Sequence, residues 1–442
     1  MSTLASLPEL QALDTCHSLV RIPPELDVPL TVRVRRLIDT AAFRRLARIS
    51  QLGLVALVYP AAHHTRFEHS LGVYRLALVY LRQLARDERF RNTIDRPAAE
   101  RLVVAALLHD LGHWPFCHPI EDIRLPGVPH HEQFARAYLE SPEVAEALRS
   151  DWDIEPGEIA ELLAEQRPDT RSRILRSLLS GPIDIDKLDY LTRDSLHAGV
   201  PYGRHFDQQR LVGSLCLNAT GDALALSEKG KTAAEMMVFA RYVMFSEVYW
   251  HHAVRGATAM FQRAFSLLHG QLDLESLFRL SEAEMIERMQ RAARNEPAGE
   301  LLDGLFGPQR RLYKRLAQFS LFEEPQWYER LARRPYPWLV DAATRFAAAL
   351  AERLEQPVAP HEVLFDAPPA KREVEFRVDI YFTKERCYRP LGEVSPVVQT
   401  LALRQFDDYV KRVRIFIHPR LARAARDLPD LSAVLASAIG MD

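Results

Sequence analysis

Cysteine is scarce in this 442-residue chain. Cys16, Cys117, Cys216 and Cys387 are widely scattered and form no CxxC. The sequence therefore predicts neither a disulfide framework nor a zinc knuckle, and it fits a reducing cytosol. Net charge is nearly absent as well: 57 Lys+Arg face 59 Asp+Glu, leaving −2. That excludes a general basic coat for nucleic acid and leaves room only for a local channel. No apolar run approaches the ~20 residues of a membrane span. Met1 to Pro8 lacks the basic and apolar stretches of a secretory signal. A cytoplasmic protein with no membrane partner is expected. Lysine is the last shortage, with seven among the 57 basic residues and the first at Lys187. A compact ammonium that follows a long arginine-only stretch marks a position where a guanidinium would not serve.

What is present is mostly helical pattern. At 48% apolar residues, the chain has material for two or three packed units. Leu71, Tyr74, Leu78 and Leu81 recur at spacings of three and four, which predicts an amphipathic helix from His69. A second helix is expected over Ala98 to Leu111, ended by Gly112 and Pro115. A third covers Arg171 to Leu179; Gly181-Pro182 breaks it and Asp184 starts the next. Leu211 to Leu226 reads as a hairpin turning at Asn218 to Asp222, followed by a long helix from Ala233 to Leu268. Residues 276–355 stay helical without a chemical motif, and Gln356 to Pro369, with four prolines, reads as a connector. Val374, Phe376, Val378, Ile380 and Phe382 then alternate as a strand, as do Val413, Ile415 and Ile417. The expected fold class is mainly α, with a small α+β C-terminal unit. Its parts are an N-terminal arm (1–28), a helical body (29–275), a helical extension (276–355) and the α+β unit (356–442).

The histidines are concentrated. Four segments hold most of the chemistry: His64-Thr65-Arg66-Phe67-Glu68-His69, His109-Asp110-Leu111-Gly112-His113, His118 with Glu121, and His130-His131-Glu132. Asp184-Ile185-Asp186-Lys187-Leu188-Asp189-Tyr190 adds carboxylates. Taken singly, a histidine near a helix end is more often a carbonyl cap than a ligand. His109-Asp110, however, ends an apolar run (Leu102, Val103, Val104, Ala105, Leu107, Leu108) of the kind that is normally buried. A buried imidazole beside a carboxylate needs a partner, and a divalent metal satisfies both. His69 and Asp186 are the natural third and fourth ligands. Two imidazoles and two carboxylates suit Mn, Fe, Ni or Zn, and Mg less readily. They leave coordination positions open, as a catalytic site requires.

The order His69, His109-Asp110, Asp186 resembles the metal signature of HD-domain phosphohydrolases. Its flanks, Gln51-Leu52-Gly53, His64 to Val73, Pro115-Phe116-Cys117-His118, and Asp186 to Tyr190 with Arg193-Asp194, resemble the deoxynucleoside triphosphate triphosphohydrolase branch. That branch includes the vertebrate member joining a SAM domain to an HD domain. The resemblance covers residues 30 to 270 and makes the helical body an HD-domain catalytic core.

The resemblance implies metal at His69, His109, Asp110 and Asp186, with active-site histidines at His113, His118 and His131. His118 would be the general acid at the leaving 5′-oxygen, oriented by Glu121. Arg66, Lys187 and Arg241 would contact the triphosphate; Tyr190, Asp194 and Tyr249 the sugar; and Gln51 and Leu52 would floor the deoxyribose and crowd out a 2′-hydroxyl. The implied reaction is attack of water on the α-phosphorus, releasing deoxynucleoside and intact triphosphate. A homodimer or homotetramer is also implied, with single-stranded nucleic acid a weaker alternative partner.

His63, His64 and His130 read as loop or outer residues, His251-His252 as solvated or interfacial, and Cys117 as packing. Two departures bear on guanine-nucleotide activation: Arg21-Ile22-Pro23-Pro24 replaces an Asp-Pro-(Val/Ile)-His-Gly segment, and Ala47 stands where effector-dependent members carry Arg. No SAM domain is expected in the first 28 residues. The competing readings are an HD-domain enzyme acting on another nucleotide or phosphodiester, and a nucleotide-sensing scaffold.

Overall fold

The computed structural model describes residues 4–15, 18–164, 169–369, 377–401 and 410–440. It is mainly α, with a helical core and a small sheet-containing C-terminal part. Three helices frame the centre. Arg66–Leu84 begins at Thr65, whose hydroxyl accepts from the Glu68 amide. It buries Leu71, Tyr74, Leu78 and Leu81 as the spacing predicts. Arg96–Leu108 starts at Asp95, which caps the Ala98 amide, with Pro97 in the first turn. Every residue from Leu102 to Leu108 is buried, so this helix runs through the core and packs on the first. Ile185–His197 crosses the first helix and is capped by Asp184, which accepts from the Lys187 amide at 2.7 Å. The helix over Thr170–Ser180 ends at Gly181, as expected. No described helix is long and apolar enough to cross a membrane.

The single helix expected from Ala233 to Leu268 is two helices, Lys231–Met244 and His252–Leu268, separated by a π-helical turn over Phe245–Tyr249. Apolar spacing persists through the break because both halves bury a face, so periodicity cannot report it. His251 restarts the helix by accepting from the Ala253 amide through Nδ1, and Trp250 is anchored by its Nε1–H to the Arg412 carbonyl at 3.1 Å.

Residues 276–355 are not wholly helical: they contain strand β5 (Lys314–Phe319). The proline-rich connector contains β6 (Val363–Asp366). Both pair antiparallel with β9 (Val413–Ile417), which lies between them and is buried throughout. Strand β5, with Lys314 and Arg315 exposed, is a charged edge whose pattern hides its pairing. Strand β6 is too short and too fully buried to alternate. Helices Tyr336–Leu354 and Leu431–Ile439 pack against each other beside this sheet.

Of the strand expected from Val374, Val374 and Phe376 lie outside the described residues, as does Cys16. The described part is β7 (Asp379–Phe382). With β8 (Cys387–Pro390) it extends the hairpin of β3 (Leu215–Leu217) and β4 (Leu224–Ser227) into the order β3-β4-β7-β8. The C-terminal stretch thus supplies strands to two sheets. Within the hairpin turn, Asn218 Oδ1 accepts from the Asp222 amide at 3.0 Å.

The start of the chain forms an antiparallel pair, β1 (Leu19–Ile22) with β2 (Leu26–Pro29), and is tied down by charge. Arg33 donates to both oxygens of the fully buried Glu9 at 2.9 and 2.6 Å, reaches Glu100 at 2.9 Å and stacks over Trp152. Glu9→Ala would leave a mostly buried guanidinium with one carboxylate partner in place of two. It is expected to cost about 3 kcal/mol, read as a lower urea midpoint at unchanged m-value.

Candidate functional site

The HD-bearing segment brings its predicted ligands together. His109 and Asp110 follow the last residue of the core helix, so burial delivers them to the centre of the protein. His69 lies one turn into the Arg66–Leu84 helix, and Asp186 in the first turn of Ile185–His197. His69 Nε2 is 3.0 Å from Asp186 Oδ1 and 3.3 Å from His109 Nε2. His109 Nε2 is 3.4 Å from Asp110 Oδ1 and 3.9 Å from Asp186 Oδ1. One ligand atom each of His69, His109 and Asp110 lies within 4.8 Å of the others.

The donor set fits a divalent ion. The Nδ1 of His109 faces the Ala106 carbonyl at 3.0 Å, and that of His69 faces Asp189 Oδ2 at 2.8 Å. With each Nδ1–H so engaged, each Nε2 lone pair points into the cluster, the arrangement that orients metal-binding histidines.

Without an ion, the charges are balanced by protons and cations. Burial opposes charge on His69, but hydrogen bonds to Asp186 and Asp189 and the nearby Asp110 raise its pKa to about 10. Burial likewise opposes charge on Asp110, yet His113, Arg66 and His109 hold it well below the usual carboxylate range. Arg66 Nη1 donates to Asp110 Oδ2 at 2.9 Å and His113 Nδ1 lies 3.0 Å from Asp110 Oδ1. Burial and Arg66 push His113 well below the usual imidazole range.

An entering ion must displace the His69 proton, so cation binding to the metal-free protein should release a proton. Affinity is expected to climb by up to about tenfold per pH unit from pH 6 toward 9, checked by calorimetry in buffers of different ionisation heat. The same shift stabilises the metal-free fold fully below the unfolded pKa of His69, near ~6.5. That contribution is lost as pH rises toward about 10.

Outside the candidate ligands lies a network that motif reading left unassigned. Burial would raise the Asp189 pKa, but Arg193 and His69 hold it at about 2. Arg193 donates to both Asp189 oxygens, at 2.8 and 2.7 Å, and to Glu68 at 2.6 Å. Glu68 also meets His197 at 3.0 Å. Its signal was available: Asp189 and Arg193 stand three and seven residues after Asp186, one face of the same helix. His64, read as a loop residue or one supporting the site from outside, lies in the loop before the Arg66–Leu84 helix, where it is buried, meets Asp194 at 2.8 Å and stacks on His197 at 4.4 Å.

The remaining predicted residues divide into groups. Tyr249, delivered by the π-helical turn, donates to Asp194 Oδ2 at 2.6 Å, and Tyr190 lies edge-on to it at 6.4 Å. The backbone N–H of Gln51 donates to the His64 carbonyl, and its buried Oε1 has no donor among the described residues; Leu52 follows at the start of a short helical turn. Lys187 Nζ reaches Asp184 and the Gly181 carbonyl, and Arg66 is held on Asp110. The guanidinium of Arg241 is buried over Phe245 at 5.5 Å.

His113, His118 and His131 form a second cluster, with ring centroids 4.0 to 5.7 Å apart. Phe116, in the left-handed region at φ 55, turns the chain into the short helix that carries His118. Glu121 was expected to orient His118; it pairs with His118 at the longer distance and holds His131 more closely. It accepts the His131 amide at 2.8 Å and lies 3.0 and 3.1 Å from Nδ1, whereas His118 Nδ1 is 3.8 Å away. The reason is the turn geometry, which puts the start of the His131–Leu139 helix directly against Glu121. Burial would lower the His131 pKa, but Glu121 raises it. His130 stays exposed, and Cys117 is buried with its thiol pKa pushed well up by burial.

Residues 66–193 match the family model of the HD domain, and residues 206–426, half of the chain, match that of the HD-associated region. An uncharacterized Bacillus subtilis protein is 34% identical over 58% of this chain and 61% of its own length. The deoxynucleoside triphosphate triphosphohydrolase SAMHD1 of Mus musculus is 33% identical over 42% of this chain and 31% of its own. A hypothetical protein from Aquifex aeolicus, 28% identical, superposes with TM-score 0.70 over 92% of this chain and 98% of that one. The chain therefore spans less than two thirds of the Bacillus and mouse relatives.

Proposed function

This chain belongs to the HD-domain family, an HD domain followed by an HD-associated region, and from that premise we propose that it hydrolyses deoxynucleoside triphosphates to deoxynucleoside and inorganic triphosphate. At the coarser level it is an HD-domain phosphohydrolase, and HD domains are metal-dependent. The observation that carries the finer reading is the buried Tyr249–Asp194–His64 network. Its Asp194 lies on the helix that supplies Asp186, and with Tyr249 it offers a carboxylate and a phenol to a sugar hydroxyl. The name of the mouse relative points the same way.

In this reading His69, His109, Asp110 and Asp186 hold the ion. When bound, it polarises a phosphoryl oxygen and lowers the pKa of an adjacent water. Water adds to the α-phosphorus, the bond to the 5′-oxygen breaks, and His118 gives that oxygen its proton. The His118 side chain is 61% exposed, so it can reach a ligand. His113 and His131 line the same space, and Glu121 fixes the ring of His131. Arg66 supports Asp110 while facing the phosphates. Lys187 and Arg241 supply the further cations that a triphosphate of about four charges needs. Gln51, Leu52 and Tyr190 complete the sugar pocket. A homodimer or homotetramer in solution is part of the proposal, read by light scattering.

The test is product chromatography of the purified chain with Mn²⁺, offering each dNTP, the matching rNTPs and a phosphodiester. Deoxynucleoside plus tripolyphosphate in equal amounts supports the reading and ranks the bases. Turnover of ribonucleotide or phosphodiester alone would keep the metal site and overturn the sugar pocket.

A further inference from the structure

We propose that His113, His118 and His131 form a second divalent-cation site, selective for borderline ions such as Zn²⁺ over Mg²⁺ and Mn²⁺. One nitrogen from each lies within 4.8 Å of the other two. Zinc–nitrogen bonds of ~2.0–2.1 Å require the nitrogens to draw in by about an ångström, and the exposed His118 side chain has the freedom to do so. One of the rings is already oriented from outside: His131 Nδ1 is held by Glu121 at 3.0 Å, which leaves its Nε2 for a ligand, the same construction that orients His69 through Asp189. His113 Nδ1 lies 3.0 Å from Asp110 Oδ1. His118 stands edge-on to both rings, at 74° and 87°. Glu132 Oε1 is 3.8 Å from His131 Nε2, within reach as a fourth ligand. Arg66, the cation paired with the Asp110 beside His113, has its charge balanced by that carboxylate.

Selectivity follows from the donors. An all-imidazole set favours Zn²⁺, Ni²⁺ or Cu²⁺, while hard ions prefer oxygen. The mixed set of His69, His109, Asp110 and Asp186 accepts both kinds.

A third grouping, Glu300, Glu362 and His418, competes poorly for an ion. The Arg420 amide donates to His418 Nδ1 at 3.2 Å, which leaves the proton on Nε2. The guanidinium of Arg420 covers Glu362.

Occupation of the trio has a consequence that rests on the reading of His118 as the acid: the ion takes the lone pair that would carry the proton, so Zn²⁺ beyond one equivalent should lower turnover.

The experiment is equilibrium dialysis of the metal-free full chain against Zn²⁺ or Mn²⁺, with metal counted by mass spectrometry. Two Zn²⁺ but one Mn²⁺ per chain are expected. His131→Gln and His118→Gln should each keep one Zn²⁺ and one Mn²⁺. Asp186→Asn should lose the Mn²⁺ and keep one Zn²⁺. A single Zn²⁺ in the unmodified chain overturns the proposal, as does a second Zn²⁺ that survives both histidine substitutions. Far-UV circular dichroism verifies that each variant is folded. Because the count needs no substrate, it stands or falls apart from nucleotide hydrolysis.

Discussion

Asp110→Ala is expected to reduce hydrolysis about 1,000-fold or more. Three groups depend on this carboxylate. Asp110 Oδ1 lies 3.4 Å from His109 Nε2, inside the proposed ligand set. The same oxygen lies 3.0 Å from His113 Nδ1, and Oδ2 accepts from Arg66, which is only 4% exposed. Removing a preorganised charge from a water-poor site costs about 4 kcal/mol of transition-state stabilisation, or about three powers of ten in rate. A second cost falls on the fold, because Arg66 loses its carboxylate partner. Breaking a buried pair from one side costs about 3–5 kcal/mol. Asp110→Asn separates the two effects: it keeps the shape and a hydrogen-bond acceptor for Arg66, and should melt closer to the parent while staying inactive. Initial rates and thermal melts of both variants decide the matter. More than a tenth of parental activity in either would remove Asp110 from the site.

How much of this was legible in the sequence depends on what each residue answers to. The grouping of His69, His109, Asp110 and Asp186 was readable because metal chemistry restricts residue type, and because His109-Asp110 ends an unmistakably buried helix. The helix starts at Asp184 and Asp95 were readable or easily rationalised because capping is local. Helical spacing pointed from Glu121 to His118, which it does pair with, but the closer partner, His131, is chosen by where the chain returns after Pro126, ten residues on, and no local spacing reports it. Asp189 and Arg193 stood in plain view but were left without a role, since their importance lies in contact with His69 and Glu68 across two helices. Strand β6 escaped for a related reason. Four buried residues among prolines carry no period, and only pairing with β9 makes them a strand. The division of the 231–268 segment has the clearest functional bearing, because the π-helical turn that periodicity missed delivers Tyr249 to Asp194.

Gly72→Ala should weaken both the fold and the metal site, although alanine is the better helix former by about 1 kcal/mol. The reason is a collision at the back of the site. A Cβ at Gly72 would sit 1.9 Å from Asp189 Oδ1 and 2.4 Å from Arg193 Nη2. Neither atom can yield cheaply: Arg193 is 1% exposed and bonded to Asp189 and Glu68, and Asp189 is bonded to His69. Overpacking alone costs about 1–3 kcal/mol. Prising apart the buried carboxylate–guanidinium pair adds to it, so destabilisation outweighs the helix gain. Moving Asp189 also releases His69 Nδ1, and loss of such an outer partner lowers metal affinity by about 10–100-fold. Gly157 is the internal comparison. It too lies in a helix, Pro156–Ala164, but nothing lies within 4 Å of its would-be Cβ. Gly157→Ala should therefore stabilise by about 0.5–1 kcal/mol and leave affinity alone. Urea unfolding and competition against a chelating dye, run on both variants, measure the contrast. A Gly72→Ala protein that matched Gly157→Ala in both would mean that the Asp189–Arg193 clamp does not hold His69 in place.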